Sequence, residues 1–141
     1  MKKIENPFLG REDYNCFGCS PNNPRGLKME FWEEGENIVS LWKPHINFGG
    51  YKNILHGGVH SALMDEIAGW YVSYKLRKQG VTCNLEVRYK KPAKVDEGDL
   101  KLTASFDKIE RNIVSIKVML YNSVGELCSS GIVKYFLFEN R

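Results

Sequence analysis

His56-Gly57-Gly58-Val59-His60-Ser61-Ala62-Leu63-Met64-Asp65-Glu66-Ile67-Ala68-Gly69-Trp70-Tyr71-Val72 is the stretch on which the fold of this 141-residue chain turns. It belongs to the only long helical pattern in the chain, which the sequence predicts from about Gly57 to Lys78, with Gly80 as its stop. At about 100° per residue, positions 59 to 72 are apolar on almost every side. Val59, Leu63, Ile67 and Trp70 crowd one side, and Met64, Ala68, Tyr71 and Val72 continue around it. A helix of this kind is expected to be wrapped by a sheet, with a second chain covering the remainder.

Asp65 breaks the apolar pattern. The residues a turn away on its face, Ser61, Ala62, Ala68 and Gly69, are all small. A carboxylate on a buried helix is costly unless it is paired or used. Two readings stay open here: an acid facing a clearing for a ligand, or an acid tied to a distant Lys or Arg. Gly69 costs about 1 kcal/mol relative to alanine inside a helix, which points to a close approach. Glu66 lies about 100° away without such a clearing and reads as a pairing residue. At the helix start, Gly57 and Gly58 offer unhindered N–H groups at the positive end of the helix dipole, suited to an oxyanion. His56 is a base by type, though at a helix start it reads more readily as a cap. Gly57 and Asp65 are eight residues apart, roughly 12 Å along one axis. A base and an oxyanion donor must each lie about 3 Å from one reacting group. A site using both therefore spans two chains, and implies at least a homodimer.

Outward from the helix the period changes to two. Cys83, Leu85, Val87 and Tyr89 alternate with polar residues, as do Leu100, Leu102, Ala104 and Phe106, then Val114, Ile116, Val118 and Leu120. Leu127 to Phe138 forms a last strand candidate, and Leu27–Trp32 with Ile38–Trp42 form two before the helix, joined by a turn over 33–37. The short connections suit antiparallel neighbours. Two strands, one helix and four strands exclude a doubly wound parallel sheet and predict an α+β fold, with about six antiparallel strands around one helix.

Composition narrows the function. A formal charge of +3, with no dense Lys/Arg block, gives no support for nucleic-acid binding. No apolar run approaches the roughly 18 residues of a membrane span. The start, Met1-Lys2-Lys3-Ile4-Glu5-Asn6-Pro7, lacks a secretory apolar region, so a cytoplasmic protein is expected. Cys16-Phe17-Gly18-Cys19 is a lone CxxC followed by a Pro/Asn/Gly-rich loop, with Cys83 and Cys128 placed singly in strands. Buried thiols, rather than a metal or redox centre, are the expectation there.

His56-Gly57-Gly58 followed by Asp65 resembles the helix start of the PaaI-like hot-dog thioesterases. Val81 to Ala93 resembles that family's next strand, ending in Tyr89-Lys90-Lys91-Pro92-Ala93. Cys16-Phe17-Gly18-Cys19 to Gly26-Leu27 is similar to a subgroup with a CFGC start. The resemblance implies a hot-dog domain over 27–141 behind an irregular arm over 1–26, assembled as dimers or pairs of dimers. It implies hydrolysis of acyl-CoA without metal or cofactor beyond the substrate's own coenzyme A. Gly57 N–H would polarise the thioester carbonyl, with Gly58 beside it. Asp65 of the partner chain would act as base or nucleophile, and Thr82 would help position water. Asn47 and Asn53 are the candidates for the family's polar residue upstream of the glycines, each displaced from its spacing. Arg88, Lys90, Lys91 and Lys94 border the expected site and suit phosphates of coenzyme A. Trp32, Trp42, Phe48, Tyr51 and Trp70 are candidates for an acyl pocket or for core. The alternatives are a non-catalytic acyl-CoA or lipid-binding module and a dehydratase, for which His45, His56 and His60 lack the expected proline-rich setting.

Overall fold

The computed structural model describes residues 1–138. In chain order it contains β1 (Lys2–Lys3), β2 (Trp32–Glu34), β3 (Asn37–Trp42), a 3₁₀ turn (Ile46–Phe48), α1 (Gly57–Trp70), a π turn (Tyr71–Lys75), β4 (Gly80–Tyr89), β5 (Leu100–Glu110), β6 (Ile113–Tyr121) and β7 (Leu127–Leu137). The strands form one antiparallel sheet in the order β1-β2-β3-β5-β6-β7-β4. β3 and β4 flank α1 in the chain but are far apart in the sheet. The chain therefore leaves the sheet after β3, crosses it as α1, and re-enters at the opposite edge.

Hydrophobic burial holds the helix there. Leu63, Met64, Ile67 and Ala68 have no exposed surface, and pack with Leu102, Ala104, Ile116, Val118, Leu120 and Val133 in one core. Fully burying each large aliphatic side chain is worth about 1.5–3 kcal/mol. The alternation expected in β5 and β6 is present except at Phe106: Leu100, Leu102, Ala104, Val114, Ile116, Val118 and Leu120 are buried, while Phe106, at the register shift with β6, is exposed. Trp42, Trp70 and Phe31 also belong to the core, with Phe31 stacked on Trp70 at 4.5 Å. Tyr51 is exposed.

Several boundaries differ from the sequence reading, each for a backbone reason. The sheet has seven strands because Lys2–Lys3 pairs with Trp32 and Glu33. Leu27 to Phe31 is not a strand. Lys28 sits at φ 55, which interrupts an extended run, and Leu27 and Met29 bond back to Phe17 and Gly18. The turn between β2 and β3 is shorter than 33–37, since Glu34 and Asn37 are already paired across it. The helix does not continue regularly to Lys78. It passes into the π turn after Trp70, and Arg77 at φ 55 marks its end. Gly80 opens β4 rather than capping the helix; a Cβ there would meet the Phe136 backbone.

Residues 1–26 have little regular structure beyond β1, yet Ile4 and Cys19 are buried in the common core. The domain boundary expected at 141 falls outside the described residues. Among the described residues, no helix is long and apolar enough to cross a membrane.

Candidate active site

A register shift in β4 sets the site. Between Thr82 and Asn84 the pairing with β7 slips by one residue, so Cys83 is bulged out. Simple alternation put Cys83 on the face of Leu85, Val87 and Tyr89. The bulge instead puts Thr82 on the helix side, opposite Tyr135. The Thr82 hydroxyl donates to Asp65 Oδ1 at 2.6 Å. The Tyr135 hydroxyl donates to the Asp65 main-chain oxygen at 2.9 Å and lies 3.2 Å from Oδ1. Burial pushes the Tyr135 phenol up, and the Asp65 carboxylate adds to this, so it remains a donor at neutral pH.

Asp65 is therefore held by two hydroxyls and, among the described residues, by no Lys or Arg. Among the described residues, the reading of an acid tied to a distant Lys or Arg finds no such partner. The close approach expected at Gly69 is present, and what approaches is a side chain of β7 rather than a ligand or a backbone. A Cβ at Gly69 would lie 2.8 Å from the Tyr135 hydroxyl, so the glycine makes way for that side chain. Asp65 is half-buried, on a carboxylate geometry that leaves Oδ2 without a protein donor among the described residues.

At the other end of α1, His56 is the cap. Its Nδ1 accepts from Gly58 N–H at 2.9 Å, and its carbonyl accepts from Val59 and His60. Gly58 N–H is thereby committed. The Gly57 N–H has no acceptor among the described residues, and Gly57 is exposed at the positive end of the helix. Tyr89 braces this turn, donating to the Gly57 carbonyl at 2.6 Å.

Two supporting residues escaped the sequence reading as site residues. Tyr89 was read as part of an alternation and of the strand motif, with no role at the site. His60 was considered only as a dehydratase residue. It is buried, 2.7 Å from Ser129 Oγ through Nδ1, and edge-on to Tyr89 at 5.0 Å. Burial lowers its pKa to about 4, so it stays neutral and holds Tyr89 by packing rather than charge. The unfolded chain protonates near the ordinary value of 6.5 while the folded chain does not. Folding stability contributed by this residue is thus full above about pH 6.5 and falls as pH drops toward 4, by up to about 3 kcal/mol. Urea unfolding at several pH values should show this loss, and His60→Asn should remove that part of the acid slope.

The remaining candidates are dispersed. Asn53, at φ 60, donates to Asp96 and carries a loop contact to Val95. Asn47 is exposed on the 3₁₀ turn, its N–H capped by His45. Arg88 lies with Glu86, Lys117 and Ser130 on the sheet face away from α1. Lys91 pairs with Glu126 at 2.7 Å, while Lys90 is exposed beside it. No contact among the described residues joins any of these to Asp65 or the Gly57 N–H.

The Thioesterase superfamily model matches residues 52–129, more than half of the chain and the whole span from α1 to β7's start. No curated protein sequence matches. Among solved structures, zebrafish thioesterase superfamily member 2 is 27% identical, with 84% of this chain and 88% of that one covered at a TM-score of 0.73. A hypothetical thioesterase of Streptococcus pneumoniae, solved with coenzyme A, is 24% identical, covering 80% and 90% at 0.72. Another thioesterase superfamily protein, 20% identical, aligns over 86% of this chain but 60% of its own length, at 0.80. A sheet wrapped on one helix, and a family model spanning that helix and the strands after it, place this chain in the thioesterase superfamily, with its hot-dog fold.

Proposed function

We propose that this protein hydrolyses acyl-CoA thioesters at a site shared by two copies of the chain. The observation that carries it is Asp65: a half-buried carboxylate oriented by two hydroxyls and, among the described residues, without a neutralising cation. A module that only binds a thioester gains little from such a charge, which costs desolvation. The Gly57 N–H of one chain polarises the thioester carbonyl, and Asp65 of the other drives the attack. As general base, Asp65 takes a proton from water while oxygen bonds to the carbonyl carbon. The C–S bond then breaks, and the departing thiolate takes a proton to give free coenzyme A. As nucleophile, Asp65 forms an anhydride that water cleaves. Neither route uses a cofactor beyond the substrate's own coenzyme A.

The long separation along α1 supports the two-chain arrangement, because one continuous helix cannot bring Gly57 and Asp65 to one carbonyl. β4 supports it too: it is an edge strand with Val81 and Tyr89 more than half exposed. The coenzyme A found with the Streptococcus pneumoniae neighbour supports the substrate class. Lys90, exposed at the end of β4, has no pairing carboxylate among the described residues, unlike Lys91, and suits a phosphate.

The test is a panel of acyl-CoA substrates, short, long and aromatic, followed by release of free thiol. Turnover of at least one member is expected; binding of the panel without thiol release would replace the enzyme with a binding module. Thr82→Val keeps the side-chain shape and removes the donor to Asp65 Oδ1. It should lower kcat/KM about tenfold, near the 1.4 kcal/mol of one charge-assisted hydrogen bond, with an unchanged melting temperature.

A further inference from the structure

Cys16 and Cys19 were expected to be buried thiols with too few neighbours for a metal. The fold supplies a third ligand that lies fifty residues away from Cys16 in the chain. Glu66, one position beyond Asp65 and so about 100° around α1 from it, meets the CFGC loop. Cys16 Sγ lies 3.7 Å from both Glu66 carboxylate oxygens, and single ligand atoms of Cys16, Cys19 and Glu66 all lie within 4.8 Å of one another.

We infer that Cys16, Cys19 and Glu66 form a binding site for a thiophilic divalent cation, zinc above all, which ties the N-terminal arm to α1. Three observations carry it. First, the spacing is close. Neighbouring ligand atoms of a tetrahedral zinc site are roughly 3.5–3.8 Å apart. The 3.7 Å from Cys16 Sγ to Glu66 matches this, and Cys19 Sγ lies within 4.8 Å of both, a small closure from that spacing. Second, the loop is shaped for the carboxylate. A Cβ at Gly18 would overlap the Glu66 side chain, so the glycine between the two cysteines is what admits it. Third, outer partners orient the ligands, as metal sites require. Trp70 Nε1 donates to Glu66 Oε2 at 3.1 Å, Tyr14 OH sits 2.8 Å from Cys19 Sγ, and Asn6 donates to Tyr14 at 2.8 Å.

Two sulfurs and one oxygen select zinc, cobalt or cadmium over calcium or magnesium. The cluster opens on a cleft of about 460 Å³ bordered by Phe8, Tyr14, Trp70 and Tyr135, which gives water access to a fourth position. Binding exchanges two thiol protons for one cation: Zn²⁺ joins two thiolates and one carboxylate, and two H⁺ leave. Affinity therefore rises with pH.

The experiment uses the whole protein, stripped with a chelator, kept in a non-thiol reductant and titrated with Co²⁺. One Co²⁺ per chain is expected, with a thiolate-to-cobalt charge-transfer band and the strong visible bands of tetrahedral coordination. Zn²⁺ should erase both and raise the melting temperature. Cys16→Ser and Cys19→Ser should each abolish the charge-transfer band, whereas Cys83→Ser should keep it. Tyr14→Phe should weaken Co²⁺ about tenfold, and Glu66→Gln by at least that much. Absence of the band in the wild-type chain with all thiols reduced would overturn the site. So would a band that survives Cys16→Ser, or a Glu66→Gln chain that binds as tightly as wild type. The wild-type titration decides the matter even where a variant does not fold, and its outcome is independent of hydrolysis.

Discussion

Asp65→Asn should lower acyl-CoA turnover by about 100- to 10,000-fold, the range of a lost general base, while leaving the assembly intact. An amide neither accepts water's proton at neutral pH nor attacks a thioester. Its carbonyl oxygen still accepts from the Thr82 and Tyr135 hydroxyls, which hold Oδ1 at 2.6 and 3.2 Å. The side chain is therefore expected to keep its place. The melting temperature should move little, because the substitution removes a charge that has no cationic partner among the described residues. The assay is thiol release from the best substrate of the panel, with size-exclusion chromatography alongside. Unchanged hydrolysis would remove Asp65 from the chemistry. Activity lost together with the oligomer would show that the carboxylate is structural. A loss confined to turnover leaves it as the base or nucleophile.

Much of this site was readable in advance, because helix periodicity and residue type carry it. The apolar helix, the carboxylate within it and the two glycines at its start follow from the order of residues alone. What stayed hidden depends on register. The resemblance named Thr82, but the strand pattern hid its contact with Asp65: the two meet only because Cys83 is bulged out, and a bulge adds a residue to one strand without leaving a mark in its composition. Without the bulge, an even count places Thr82 on the outer face with Asn84. Tyr135 reaches Asp65 across seventy residues, so nothing local announces it, and the space at Gly69 looked vacant from the helix alone. The same holds for Glu66 and the CFGC loop. A pair that far apart becomes a cluster only once α1 is docked on the sheet and the arm is laid beside it. The helix end was misplaced for a smaller reason: Arg77 takes the left-handed conformation that glycine usually takes, so the glycine at 80 drew the boundary outward.

Mixing two inactive chains tests the shared site most severely. Gly57→Pro is the second chain to use, since it removes the N–H and little else. Proline suits the first position of a helix, and His56 before it is at φ −57, ψ 136, a conformation that precedes proline readily. A Cβ at Gly57 meets Tyr89 no closer than 3.5 Å, which is ordinary contact. Alone, Gly57→Pro should fold and lose about 100- to 1,000-fold in kcat, the effect of removing one oxyanion donor. Mixed with Asp65→Asn through unfolding and refolding, it should regain activity. In a heterodimer one site pairs an intact Gly57 turn with an intact Asp65, and the other site carries both lesions. Random pairing makes half the dimers mixed, so roughly a quarter of wild-type activity should return, far above either parent. If heterodimers form, as a tagged pull-down would show, and activity stays at the parental level, the two groups do not act on one thioester from two chains. Each chain would then have to complete its own site, and the roughly 12 Å of helix between Gly57 and Asp65 leaves no carbonyl position within reach of both. Recovery near a quarter, by contrast, fixes the functional unit as the dimer, with each helix giving its start to one site and its middle to the other.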